Sequence, residues 1–268
     1  MRIAQLRVLK VAETRFVLPD DPTTPWAVWE TDAADDASAL VEFAGRACYR
    51  SWSRPNPATR SNRTYIGHIL DQEHYPVLEH AGFTIMLTGV SRSLTHELTR
   101  HRHLSYSQRS QRFVNEDDAP VVLPPLFRDD PDAQAILADI YTRTQEAYRK
   151  LAEIGARKLG ALPDKTLRRK RAREAARCVL PNMTETHIVV SGNHRAWREF
   201  FAKRGGLHVD AEMREVAIRV FQEVAQPLAP AIYQDFRIRT VELGTRETAE
   251  VLEQGPALVE AAATVTGG

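Results

Sequence analysis

The apolar positions of this chain fall into stretches of period two, which predict strands, and stretches of period near 3.6, which predict helices. Residues 3–11 alternate loosely and predict a strand. The Pro- and Asp-rich residues 19–36 predict a loop. Leu40, Phe43, Ala44 and Ala47 give residues 39–48 one apolar helical face, and residues 65–70 (YIGHIL) repeat that spacing after a loop rich in Ser, Pro, Asn and Arg over 51–62. Phe83, Ile85 and Leu87 alternate with Thr84, Met86 and Thr88, as in a half-buried strand that Gly89 should break. Residues 93–102 read as a helix, with Leu94 and Leu98 four apart. Residues 132–159 form a long amphipathic pattern through Ile136, Ile140, Ala147, Leu151 and Ile154. A further helix is expected over 166–179, bounded by Pro181. Residues 186–191 predict a strand that Gly192 should break, and 195–204 a helix. The cleanest helical face joins Met213, Val216, Ala217, Val220, Phe221 and Val224 within 210–225. Residues 246–268 are small, polar and Ala-rich, and read as a flexible tail behind a single domain over 1–245.

These elements imply an α+β fold, a central and mostly antiparallel sheet flanked by long helices. No GxGxxG stretch is present, so a Rossmann domain is not expected. The run FTIMLTGVSR (83–92) echoes THIVVSGNHR (186–195): a strand, a glycine, then a helix carrying Arg. The match is short enough to arise by chance. Its geometry still predicts helix starts just beyond strand ends, with free N–H groups suited to anions.

Composition narrows the partners. The 268 residues are 43% hydrophobic and 26% charged, an ordinary globular balance. With 36 basic against 35 acidic side chains the net charge is +1, poor footing for a general nucleic-acid binder. The basic run LRRKRAR (167–173), with Glu174 beside it, reads better as a solvated helix face than as a nucleic-acid patch. Cys48 and Cys178 lack CxxC spacing, which suits structural thiols in a reducing compartment. No apolar run approaches the ~20 residues of a membrane span, and the first residues lack a signal-peptide core. A cytoplasmic protein without membrane partners is expected.

The chemistry concentrates between residues 92 and 112. Arg92, Arg100, Arg102, Arg109 and Arg112 lie there with His96, His101 and His103 and without Lys. Arg presents a rigid donor fork that matches phosphate or carboxylate at two points. On one helix Arg92 and Arg100 would stand about 12 Å apart, a span suited to the two ends of a nucleotide. Glu97 precedes Arg100 by three and His101 by four residues, close enough to orient both. Ser105, Ser107 and Ser110 follow as a hydroxyl-rich loop. A zinc site on the histidines is disfavoured, because His101 points away from the face shared by His96 and His103 and no HExxH or Cys pair accompanies them. A solvated basic helix end is the plainer alternative, but it leaves the exclusive use of Arg unexplained.

Arg100-His101-Arg102, seven residues, then Ser110 resembles the RHR-x7-S signature of the flavin-dependent thymidylate synthase family. Leu78-Glu79-His80, the Ser91-Arg92-Ser93 turn, REAARCVLPN (173–182) and SGNHRAWR (191–198) are similar to that family as well, so that the resemblance spans roughly residues 42–236. It implies methylation of deoxyuridine monophosphate (dUMP) at C5, with methylenetetrahydrofolate as carbon donor, FAD as hydride carrier, NADPH as reductant, and a homotetramer whose sites are shared between subunits. It assigns Arg92, Glu97, Arg100, Gln108, Arg109, Ser110, Gln111 and Arg112 to the nucleotide, and Arg177 to its phosphate from a neighbouring subunit. Arg204 would hold the pyrimidine and favour ionisation at N3. Arg100, His101, Arg102, Gln108, Asn193, Arg195, Glu199 and His208 would surround the flavin. Arg204 and Ser110 stand closest to the chemistry, although Ser110 has no sequence-adjacent base and reads better as pocket lining than as a nucleophile. Three positions depart from the pattern: Phe113 where Tyr is common, Glu199 where His or Asn is frequent, and the Gly205-Gly206 pair. The nearest alternative enzyme is another flavin-linked nucleotide enzyme that omits the folate step.

Overall fold

A computed structural model describes residues 1–53, 56–243 and 246–253. Strands β1 (Arg7–Glu13), β2 (Gly82–Ser91), β3 (Ser105–Gln108) and β4 (Glu185–Asn193) form an antiparallel sheet in the order β1-β2-β4-β3. Strands β5 (Phe236–Leu243) and β6 (Arg246–Glu253) make a separate antiparallel pair, with Thr240 opposite Ala249. The expected α+β class with a mostly antiparallel sheet is borne out. The chain divides into two compact units, Met1–Leu9 with Met86–Val190, and Lys10–Ile85 with the residues from Ser191 onward.

The first unit holds helices α3 (Arg92–Leu98), α4 (Pro131–Lys158) and α5 (Lys165–Ala176). Helix α4 starts where Asp130 accepts the Ala133 N–H at 3.0 Å and Pro131 takes the first turn, which needs no donor there. It buries Tyr141, Gln145 and Tyr148, spaced four and three apart, while Ile136, Ile140 and Ile154 stay 63%, 42% and 38% exposed. The apolar face read from the sequence is therefore largely not the face this unit covers. Gly155 lets α4 approach α5, since a Cβ there would sit 3.1 Å from the Ala172 Cα. Gly89 does not end β2. Its φ of +68° places it in a region that favours glycine, and a Cβ would lie 2.0 Å from the Gln5 carbonyl. The strand bends there and runs on to Ser91.

The second unit holds α1 (Asp36–Tyr49), α2 (Asn62–Asp71), α6 (His194–Arg204) and α7 (Ala211–Val220), the last continuing as a π-helical turn over Phe221–Ala225. Trp29 packs edge to face on Phe43 and Trp52, which are tilted against each other, on one side of its core. Trp197, Phe200, Phe201, Phe221, Tyr233 and Phe236 fill the other, with Phe83 stacked on Trp197 at 4.7 Å. Two ion pairs among the described residues are buried here. Arg46 bonds Glu42 at 2.6 Å, and Arg198 grips Asp235 through two hydrogen bonds of 2.7 and 2.5 Å. Strand β4 likewise passes through Gly192 to Asn193 rather than stopping.

The residues read as a tail from 246 open with strand β6, where Val251 is 1% exposed and its N–H donates to the Gly205 carbonyl at 3.1 Å. Residues 254–268 lie outside the described residues. No helix among the described residues is long and apolar enough to cross a membrane.

Candidate functional site

In the first unit the signature segment leaves the sheet, turns and returns to it. Helix α3 begins with its amides already committed. The Ser91 hydroxyl accepts the Leu94 N–H at 3.0 Å, and the Arg92 and Ser93 N–H groups donate to the carbonyls of Thr184 and Asn182 at 3.0 and 3.1 Å. The free helix-start amides expected from the sequence are thus absent here, and guanidinium groups must carry anion binding. The helix also ends early, at Leu98. The Tyr106 hydroxyl lies 2.6 Å from the Leu98 carbonyl and 2.9 Å from that of His101, satisfying the helix end and reversing the chain. Burial pushes that phenol up to about 12, so it remains a donor. Arg100 to His103 therefore sit in a turn rather than on a helix, and Ser105–Gln108 form strand β3 rather than a loop.

Around this turn the side chains divide into inward and outward sets. Gln108 donates its amide to the Thr95 hydroxyl at 2.9 Å. The Arg109 guanidinium turns inward, donating to the Glu185 carbonyl at 2.6 Å and facing the carboxylates of Glu185 at 2.9 Å and Glu116 at 3.6 Å. Arg92 is half-buried and donates to the Arg109 carbonyl at 3.2 Å. Its pKa is lowered, first by burial and then against the charges of Arg109 and Arg177, with Glu116 opposing. Arg100, Arg102 and Arg177 are exposed and make no side-chain ion pair among the described residues. Arg112 pairs with Glu174 at 3.3 Å, both well exposed, a contact worth at most about 1 kcal/mol. The Arg173 guanidinium donates to the Phe113 carbonyl at 2.7 Å, and Lys170 lies 4.6 Å above the exposed Phe113 ring. The Ser110 hydroxyl accepts only a long 3.3 Å contact from the Arg112 N–H, with no carboxylate or imidazole bonded to it among the described residues. That geometry suits a lining residue better than a nucleophile.

In the second unit Asn193 caps α6 by accepting the Ala196 N–H at 2.9 Å. Arg195 pairs with Glu79, and Glu199 with Lys203 one turn on. Arg204 closes the helix, half-buried, and His208 is exposed. His194 is fully buried, its Nδ1 2.8 Å from the Tyr233 hydroxyl and its Nε2 without a partner. Burial, aided by the Arg198 charge, lowers its pKa to about 3. No group of three or more His, Cys, Asp or Glu side chains among the described residues is arranged to hold a metal ion.

Residues 31–231 match the family model described as thymidylate synthase complementing protein. The chain belongs to that family. Relatives named flavin-dependent thymidylate synthase include those of Mycobacteroides abscessus, 52% identical, and Mycobacterium avium, 53% identical, each over 91% of this chain and 94% of the relative. The one from Mycobacterium tuberculosis is 50% identical over 90% of this chain and 94% of its own length. The resemblance carried by RHR-x7-S is thereby borne out.

Membership gives the departures a physical context. The Gly205 of this family member is required by packing, because a Cβ would lie 2.6 Å from the Val251 carbonyl and 2.8 Å from that of Phe201. Glu199 is neutralised locally by Lys203. Within the first unit Gln108, Arg109, Ser110, Gln111 and Arg112 lie at the end of β3 and in the turn that follows, while Arg92, at the start of α3, reaches them through its bond to the Arg109 carbonyl and lies within electrostatic reach of Arg177. Asn193, Arg195, Glu199, Arg204 and His208 follow one another from the cap of α6 to just past its end in the second unit. Sequence reading missed Glu116, Glu185 and His187. Their only local signal was a pair of isolated carboxylates at the edges of apolar stretches.

Proposed function

We propose that this protein methylates dUMP at C5 to give dTMP, taking the carbon from methylenetetrahydrofolate and using FAD reduced by NADPH. The observation that carries this reading is the exposed guanidinium groups of Arg100, Arg102 and Arg177, which make no side-chain ion pair among the described residues, with Arg177 within electrostatic reach of the half-buried Arg92. A guanidinium without a carboxylate partner keeps its donor fork open to a phosphate-bearing ligand. Bound FAD would supply the hydride that completes the methyl group. Its pyrophosphate fits the open donors of Arg100 and Arg102, which the turn after α3 projects without a competing carboxylate. The nucleotide fits the segment from Gln108 to Arg112, with Arg177 meeting its phosphate. Arg204, a fixed cation, would hold the pyrimidine and favour the N3 anion. Ser110 and Gln111 would line the pocket.

The protein would work in the cytoplasm as a homotetramer with sites built from more than one subunit. The apolar side chains of Ile136, Ile140 and Ile154, left exposed on α4, support a protein-covered face there. Flavin content and nucleotide affinity of two variants test the division of roles. Arg102→Ala loses FAD, whereas Arg112→Ala weakens dUMP binding and leaves the protein yellow. Equal flavin loss in both would overturn the division.

A further inference from the structure

We infer that Glu185 is a positioning residue for the nucleotide segment, acting through Arg109 and the β2 bend without touching substrate. The inference rests on the reading of residues 108–112 as that segment. Its carboxylate is 4% exposed and reaches three pieces of chain at once. Oε1 accepts the Gly89 N–H at 2.9 Å, at the one glycine whose positive φ bends β2 before Arg92. The same oxygen lies 2.9 Å from His187 Nε2. Oε2 stands 2.9 Å from Arg109 Nη2, and the Glu185 carbonyl accepts from that same nitrogen at 2.6 Å.

Arg109 is consequently fixed at both ends. Its N–H donates to the His187 carbonyl at 2.9 Å, its carbonyl accepts from Arg92 at 3.2 Å, and its guanidinium is held between Glu185 and Glu116. Ser110, Gln111 and Arg112 follow directly, so the carboxylate sets where they stand relative to Arg92. Arg109, assigned by resemblance to the substrate, is then a strut whose charge is spent inside the protein.

The energetics point the same way. Two arginines and two glutamates are drawn together where desolvating each ion costs several kcal/mol, and an apolar cluster would hold a loop with less penalty. The network also leaves Arg92 Nε, Arg109 Nε and Glu116 Oε1 buried without a hydrogen-bond partner, while Glu185 Oε2 meets Arg109 through the ion pair alone. An arrangement with such unmet polar atoms is poorly designed for stability alone. What it does provide is direction, because a guanidinium held from two sides has one orientation.

The test uses the FAD-loaded protein. Glu185→Gln keeps the size and the acceptor for Gly89 but loses the charge facing Arg109. It should raise KM for dUMP on the order of tenfold, the scale of a lost buried charge contact, while kcat stays within about threefold and flavin content is unchanged. Glu116→Gln, at the longer contact, should raise KM less. An unchanged KM in a folded, flavin-loaded Glu185→Gln variant overturns the inference, as does a fall in kcat with KM constant. Should that variant fail to fold, Arg109→Lys decides: a raised KM supports the strut and an unchanged KM refutes it. Arg112→Ala separates the two readings. If it leaves KM for dUMP unaltered, the nucleotide assignment itself fails. If it raises KM while Glu185→Gln does not, only the positioning role fails.

Discussion

Lowering the pH from 7 to 5 should cost this protein stability through one side chain, His194. Its ring is fully buried between Phe83 and Tyr233, and its pKa is lowered from 6.5 to about 3. The unfolded chain therefore binds a proton that the folded chain refuses throughout that interval. Stability is fully present above about pH 6.5 and falls as the pH drops toward the folded-state value. At 1.36 kcal/mol per pH unit, the loss by pH 5 is roughly 2 kcal/mol, and it approaches ~5 kcal/mol near pH 3. His194→Asn isolates the effect, since the Asn amide reaches the Tyr233 hydroxyl from the position of Nδ1 and does not titrate. The variant loses some stability at pH 7 through the missing ring volume. Between pH 7 and pH 5, however, denaturant titrations should show it losing about 2 kcal/mol less than the parent. Carboxylates contribute equally to both proteins and cancel in the difference. Identical pH dependence of the two would refute the reasoning, and with it the assignment of His194 as a neutral buried side chain at the start of α6.

Asp235→Asn strips the buried Arg198 of its charge partner and should cost roughly 3–5 kcal/mol in chemical denaturation, as expected for a broken buried pair. Gly205→Ala forces a Cβ onto two backbone carbonyls and should lower Tm by several degrees, whereas Gly160→Ala, which meets only the Arg157 carbonyl at 3.1 Å, should lower it less. Replacing Ile136 and Ile140 by Asp should leave each subunit folded by circular dichroism yet shift its mass in solution downward, because those side chains are not part of the subunit's own core. Glu174→Gln removes an exposed pair only and should change unfolding free energy by less than about 1 kcal/mol.

The regular elements were legible where a single periodicity ran for several turns. Residues 210–225 and 132–159 announced α7 and α4, and Phe83, Ile85 and Leu87 announced β2 through strict alternation. Elements set by tertiary contacts were not. Strand β3 has four residues, SYSQ, without an apolar alternation, and is defined by its neighbour in the sheet. Strands β5 and β6 alternate charges with short apolar side chains, and their pairing becomes visible only when Glu250 is seen buried against Arg239. Gly89 looked like a stop because glycine usually punctuates, whereas here it supplies a bend inside a continuing strand. The end of α3 was invisible for a similar reason: the hydroxyl that caps it, on Tyr106, comes from beyond the turn.

The site divides along the same line. The spacing of Arg100, His101, Arg102 and Ser110 is a covalent fact, independent of how the chain folds. The direction of each side chain is not covalent. Arg109 and Arg112 are three residues apart and equally basic, yet one is locked against Glu185 and the other reaches the surface. Glu185 lies 76 residues from Arg109, and no local pattern could join them.

The measurement that bears most directly on the account is tritium release from C5-labelled dUMP by the purified protein, with dTMP quantified in the same samples. Release and dTMP should appear in proportion when FAD, NADPH and methylenetetrahydrofolate are all present, and dTMP should vanish when any one is withheld. Absence of dTMP with every component supplied to a folded, flavin-loaded protein would contradict it.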